Sequence, residues 1–286
     1  MTYALVRRLY AVLLIVKSPP TKLTTPPPDD DPQLPPSLEL LWGLREAGSR
    51  GPRRGLTLER IVDAGIKVAQ SEGVGALSMA RIAKELGVGT MSLYRYVASK
   101  DELLTTMVDT GLGTPPPAEP GDDWRAGLMR WAEGVRTAYQ TQPWSLRVPI
   151  SGPPLGPNNV AWLDNALQAL EGTPLSEHEK LSCVLLVSGF VRNDVTLALD
   201  FAEASGGEPQ MPGYGQLLAQ LIDAEAMPAL HRAIVSGSLD DPDDPDAEFT
   251  FGMARILDGI EGLMAAKVAA AADATIRSRR RPPRTR

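Results

Sequence analysis

The chain of 286 residues has little sulfur, little imidazole and few aromatic rings: one cysteine, two histidines and an aromatic share of 5%. Each scarcity removes a class of function. A single cysteine, Cys183, excludes an intrachain disulfide, and its setting in the apolar run LSCVLLVSGF marks a small core residue rather than a nucleophile. His178 falls in the first turn of a helix and His231 in PALHRAIV, and neither has a ligand-type neighbour four residues on, so no metal site is expected. There is no Walker loop, G-x-S-x-G elbow or GxGxxG fingerprint. Without a set of nucleophile, base and orienter, an enzyme is disfavoured; the expected catalytic residues and cofactors are none. Long hydrophobic runs are also scarce near the start. The segment LYAVLLIV between Arg8 and Lys17 is eight residues long, whereas a bilayer span needs about twenty. No small-residue cleavage site follows it, which argues against a signal peptide and for a cytoplasmic protein without a membrane partner.

What is abundant is punctuation, with 26 prolines and 26 glycines. Proline-rich sequence from Pro19 to Pro36 predicts an extended, disordered extension over residues 1–44. The stretch GLGTPPPAEPG, Gly111 to Gly121, separates a first module (45–110) from a larger one (121–274), and residues 275–286 read as a disordered arginine-rich tail able to touch nucleic acid without specificity. Charge is divided the same way. The chain carries −6 overall, yet residues 45–100 hold ten Lys or Arg against five acids, a net +5 that leaves −11 on the rest. A basic module on an acidic body is what local phosphate binding requires, since only the face that meets DNA must exchange its cations for phosphates. Arg50, Arg53 and Arg54 form either an arm for phosphate or minor-groove contact or a solvated linker.

Within the basic module, Ser78 to Asp101 predicts two short helices joined by a glycine turn. Met79, Ile82, Ala83 and Leu86 make one apolar stripe behind the cap Ser78, Gly87 closes the first helix, and Val88 turns inward. The second helix begins near Gly89. Leu93 and Val97 face the core, which leaves Thr90, Met91, Ser92, Tyr94 and Tyr96 on or beside the exposed side, where hydroxyls and phenols suit base edges and phosphates. Thr57 caps a preceding helix, Leu58 to Glu72, whose Ile61, Ala64, Gly65 and Val68 supply the third wall. Ser99 to Glu102 is a capping box opening a fourth helix to about Asp109.

The order of these parts in ERIVDAGIKVAQSEGVGALSMARIAKELGVGTMSLYRYVASKDELL, Glu59 to Leu104, resembles the DNA-binding domain of the TetR family of bacterial regulators. The candidate DNA contacts are Thr57, Ser78, Arg81, Thr90, Met91, Ser92, Tyr94, Tyr96 and Lys100. The expected fold is all-α: a three-helix helix-turn-helix head plus a larger helical regulatory and dimerisation domain, about ten helices in total. Behind the head, helices are predicted at Asp123 to Thr141, Asn158 to Glu171, Ser176 to Ala204, Tyr214 to Val235, bent or broken near Pro228, and Ala247 to Asp273.

The larger domain resembles the tetracycline-repressor branch in helix order and length. That resemblance implies a homodimer on a palindromic double-stranded DNA operator, joined as a four-helix bundle by the long helix and the last one. Met253, Ile256, Ile260 and Leu263 lie on the apolar face of the last helix and are the candidate interface; the alternative is that this face packs within its own subunit. It also implies a small-molecule effector of unknown identity. The candidate pocket residues are Trp124, Trp131, Tyr139 and Trp162, with Arg192, Asn193 and Asp194 as polar contacts; the alternative is that the aromatics are core. Where tetracycline repressors place a histidine for a magnesium–drug complex soon after the fourth helix, this chain has Pro115 to Pro117, against a metal–tetracycline ligand. A ligand-independent DNA-binding or partner-binding member of the same fold is the competing function.

Overall fold

The computed structural model describes residues 35–44, 56–150, 154–206, 213–239 and 246–279. Among the described residues there are eleven α-helices and no strand, so the fold is all-α. Arg50, Arg53, Arg54 and the tail from Arg280 on lie outside them. The chain forms two compact units, residues 1–184 and 185–286.

The first unit begins with a short helix, α1 (Pro36–Leu41), at the end of the segment expected to be disordered. Pro35 and Pro36 set the backbone for its first turn, Leu38 and Ser37 are buried, and Ser37 donates from both its backbone N–H (3.1 Å) and its hydroxyl (2.5 Å) to Glu102 Oε1. Tertiary contact therefore orders the end of a stretch whose composition alone predicts disorder.

The head follows as α2 (Leu58–Glu72), α3 (Met79–Leu86), α4 (Thr90–Leu93) and α5 (Lys100–Leu112). Each start has a local cause. The hydroxyls of Thr57, Ser78 and Ser99 accept the backbone N–H groups of Arg60, Arg81 and Glu102, satisfying amides that have no partner inside the helix. The core joins Ile61, Val62 and Val68 of α2, Ile82 of α3, Leu93 and Val97, and Leu103 and Met107 of α5. Gly65 allows the approach of α2 to α5: an added Cβ would lie 2.6 Å from Met107 Sδ.

Behind the head stand α6 (Trp124–Thr141), a 3-10 turn (Pro143–Arg147) and α7 (Pro157–Ala169). The expected break between head and body is a fastened strap. Trp162 Nε1 donates to Gly113 O (2.9 Å), Asn165 Nδ2 to Pro116 O (3.3 Å), and Arg130 reaches Glu119, Asp122 and Pro117 O. Trp144 and Val148 of the turn segment belong to the head's own core, and Gln142 Oε1 accepts from both Gln70 of α2 and Trp144 Nε1. This is why head and first body helices share one compact unit.

The long helix α8 (Glu177–Ala204) opens on a reciprocal capping box: Ser176 N donates to Glu179 Oε2 (2.7 Å) while Glu179 N donates to Ser176 Oγ (3.4 Å). The second unit takes most of α8, then α9 (Tyr214–Leu221), α10 (Pro228–Val235) and α11 (Ala247–Arg279). The break at Pro228 falls where the residue lacking an N–H begins a new helix. Within this unit Phe190 of α8 stacks on Phe249 of α11, centroids 6.0 Å apart, and its ring fills the space that a side chain at Gly252 would need.

Candidate nucleic-acid interface

The recognition segment is presented by a turn with a specific backbone requirement. Gly87 adopts φ 67°, ψ 32°, a left-handed conformation that costs a residue with a Cβ about 1–2 kcal/mol. Its N–H and that of Val88 return to the carbonyls of Lys84 and Ala83, the paired bonds of a Schellman closure, and Val88 packs onto the head core. The chain leaves α3 at a fixed angle, and Gly89 starts α4 four residues before Leu93, which is fully buried.

α4 is one turn long and continues as a turn through Tyr96. Anchoring Leu93 and Val97, both 0% exposed, forces the residues between and before them outward. Met91 is 78% exposed and Tyr94 45%, Arg95 is exposed, and Thr90 and Ser92 are half-buried along the same turn. A thioether and a phenol are thus held in water side by side with Arg95 on the turn opposite the core. Lys100 is exposed at the start of α5. Neither the Arg95 nor the Lys100 side chain makes a hydrogen bond or ion pair among the described residues, and both residues are exposed.

The other expected contacts sit elsewhere. Tyr96 is half-buried against the head core and its hydroxyl donates to Leu56 O at 2.5 Å, holding the entry to α2 instead of reaching outward. Arg81 pairs with Glu72 (2.7 Å) and with Glu85 (3.0 Å), and Glu85 also accepts from Lys67 (3.0 Å). The Arg81 guanidinium, through its hydrogen bonds, holds the Glu72 carboxyl below its ordinary value; Lys67 first and Arg81 second do the same for Glu85. Hydrogen bonds to Glu72 and then Glu85 push Arg81 upward. This four-charge corner between α2 and α3 fixes the helices and adds no net positive field. Thr57 and Ser78 spend their side-chain oxygens on helix capping. Arg95 was missed by sequence reasoning, although a cation flanked by Tyr94 and Tyr96 in the recognition segment is a legible signal.

Of the residues expected in an effector pocket, Trp131 and Trp162 meet edge to face, centroids 6.2 Å apart and 71° between planes, with Trp131 Nε1 donating to Trp162 O at 2.8 Å. Both are buried, while Trp124 and Tyr139 on α6 are half-buried. Arg192 and Asp194 are half-buried on α8, each with interactions inside the protein, and Asn193 is exposed. The last helix requires a correction. Met253 and Ile260, expected at an intersubunit face, are buried within the chain itself, with Phe249, Leu257 and Met264 on the same stripe. Ile256 is half-buried and Leu263 is 40% exposed. The outward positions on α11 lie from about a quarter-turn (Leu263) to half a turn (Phe251 and Gly262) from that stripe, with Gly259 between them, and Leu186, Gly189, Leu197 and Phe201 make an outward stripe on α8. Seven apolar positions could not be divided between two partners by periodicity alone.

Comparison with known proteins bears on both halves. Residues 61–107 match the family of bacterial regulatory proteins of the tetR family, and residues 116–264 match the tetracyclin repressor-like C-terminal domain. The HTH-type transcriptional repressor DrrR1 of Streptomyces coeruleorubidus is 37% identical over 243 residues, 80% of this chain and 86% of that protein. Apo ActR from Streptomyces coelicolor superposes with a TM-score of 0.62 at 27% identity, covering 78% of this chain and all of that one. ActR in complex with actinorhodin gives 0.62 at 27% identity, over 73% of this chain and 98% of that one.

Proposed function

Since the chain belongs to the TetR family of DNA-binding transcriptional regulators and is not an enzyme, we propose that it acts in the cytoplasm as a repressor, binding a palindromic operator as a homodimer and leaving it when a small molecule binds. The observation that carries the DNA half is the recognition turn, where Leu93 and Val97 are sealed in the core while Met91, Tyr94 and Arg95 are held in solvent. In this reading Thr90 and Ser92 meet base edges, Tyr94, Arg95 and Lys100 meet phosphates, and Met91 makes apolar contact in the groove.

One such turn reads only a few base pairs, so operator selection calls for a two-fold pair. The exposed stripes on α8 and α11 supply the surface. Leu186, Leu197 and Phe201, with Phe251 and Leu263, are each at least 40% exposed, and Gly189, Gly259 and Gly262 have open space in front of them. α8 is also long and apolar enough to cross a membrane by length and composition. Arg192, Asn193 and Asp194 in its middle would be costly in a bilayer, which argues against a membrane span.

The effector is read into the aromatic part of the body around Trp131 and Trp162, in keeping with the solved complex of ActR with actinorhodin. The experiment is selection of random duplexes by the purified protein, followed by sequencing. An inverted repeat with half-sites about one helical turn apart is expected; recovery of no enriched sequence would dismiss the operator, and a single unrepeated half-site would dismiss the two-fold pair. A thermal-shift screen, with actinorhodin among the compounds, separates a ligand sensor from a ligand-independent member of the fold.

A further inference from the structure

The most heavily bonded buried carboxylate in the described structure is Asp109, near the end of α5, and it is 1% exposed. It faces the first turn of α7. Asn159 donates to its Oδ1 from the backbone N–H (2.8 Å) and the side-chain amide (2.6 Å); Asn158 donates to its Oδ2 from the same two groups (both 3.3 Å) and to its backbone carbonyl (3.1 Å). Gly156, just before the helix, has no side chain, and a Cβ there would overlap the carboxylate. The site therefore needs an acidic residue on α5, amide side chains on α7 and a glycine beside them. Nothing in head stability alone demands that set, because the head's core closes through Leu103, Leu104 and Met107.

The same α5 is held at its other end. Glu102 accepts from Ser37 of α1 and from the backbone N–H of Ala98, while Trp42, just after α1, donates its indole N–H to Leu155 O at 2.8 Å. α1, α5 and the approach to α7 thus close a triangle of hydrogen bonds around the helix that follows the recognition segment. α5 is covalently continuous with that segment through Tyr96 to Ser99, so its tilt sets where Met91, Tyr94 and Arg95 point.

We propose that Asp109 is the positioning residue of a joint between α5 and α7, which fixes the recognition segment in its DNA-competent orientation. The inference rests on the operator-binding reading above and adds to it the residue that couples body to head. Replacing the carboxylate by an amide of the same shape, Asp109→Asn, places an NH2 group against donors that it cannot accept from. The joint then loosens while the apolar core of the head is untouched.

Two measurements test this on the full-length protein. The first is the distance distribution between spin labels at Lys84→Cys on α3 and Glu133→Cys on α6, both exposed positions, in a Cys183→Ser background. A narrow distribution is expected for the parent and a shifted or broadened one for Asp109→Asn. The second is affinity for the selected operator duplex, without labels, which should fall at least tenfold with the thermal transition still cooperative. Asn159→Ala, which removes the shortest of the bonds, should move both readouts in the same direction by less, and it decides the matter if Asp109→Asn does not fold. An unchanged distribution and affinity in folded variants overturns the proposal. A parent that binds no duplex selectively defeats the operator reading instead, and the distance distribution still decides the joint.

Discussion

Tyr94, Arg95 and Lys100 differ from Arg81 in one respect that controls what each can do: Arg81 already spends its guanidinium on Glu72 and Glu85. Tyr94→Ala, Arg95→Ala and Lys100→Ala should each weaken duplex binding about equally for selected and scrambled sequences, with Arg95→Ala and Lys100→Ala each reducing the salt dependence by about one unit of slope. Thr90→Ala and Ser92→Ala should instead relax the preference at particular base pairs, by about 1–3 kcal/mol where a good contact is lost. Gel-shift titrations over a panel of single-base operator variants distinguish the two patterns. Tyr96→Phe should leave base preference alone and cost about 0.5–1.5 kcal/mol of stability, since it removes only the bond to Leu56 O. The corner around Arg81 has a pH signature. Glu72 and Glu85 are held below their ordinary values in the folded chain, so their stabilisation is complete above those values and disappears as the pH falls through the lowered ones. The difference in thermal midpoint between the parent and Arg81→Ala should accordingly be small at neutral pH, because the pairs are solvated, shrink with added salt, and vanish in strong acid. A difference that persists unchanged at pH 2 would show that Arg81 acts through packing.

Among the elements, those read most easily from sequence are the ones whose signals are local. The caps Thr57, Ser78 and Ser99, the box Ser176 to Glu179 and the turn at Gly87 each involve residues within a few positions of each other, and each stands where the side-chain chemistry places it. What escaped was long-range. α1 owes its order to Glu102, 65 positions away from Ser37; the strap from Gly113 to Pro117 owes its fixity to Trp162 and Asn165; and Asp109 reads as the ordinary polar end of a helix until α7 is placed on it. Trp144 illustrates the same limit, since nothing near it in sequence says that it completes the head's core. Helix ends also ran on: α5 continues to Leu112 and α11 to Arg279, one to two turns past the expected stops. The element-scale prediction concerns Gly87. Gly87→Ala has open space for its methyl but must hold φ 67°, so it should cost about 1–2 kcal/mol and lower operator affinity by re-aiming α4. Chemical denaturation and duplex titration of the same sample check both parts, and full stability in Gly87→Ala would remove the turn from the account.

The whole molecule combines a head whose core is complete in one chain with two helices that leave apolar stripes in solvent. Division of the last helix into a buried stripe through Met253, Leu257 and Ile260 and an outward face carrying Phe251 and Leu263 makes a directional prediction. Ile260→Arg should unfold the chain, because it buries an unpaired charge at a cost of several kcal/mol, whereas Leu186→Arg and Leu263→Arg should leave a folded monomer. Sedimentation and circular dichroism on the three variants separate these outcomes, and a folded monomer from Ile260→Arg would reverse the assignment of the stripes.

Central to the account is that two heads read one operator together, and the stoichiometry of the complex tests it most directly. A duplex selected by the protein, labelled with a fluorophore, is titrated and followed by analytical ultracentrifugation. Two chains per selected duplex are predicted, with a scrambled duplex bound about 10³-fold more weakly or worse at the same salt concentration. A single chain per duplex, or equal affinity for both duplexes, would contradict it.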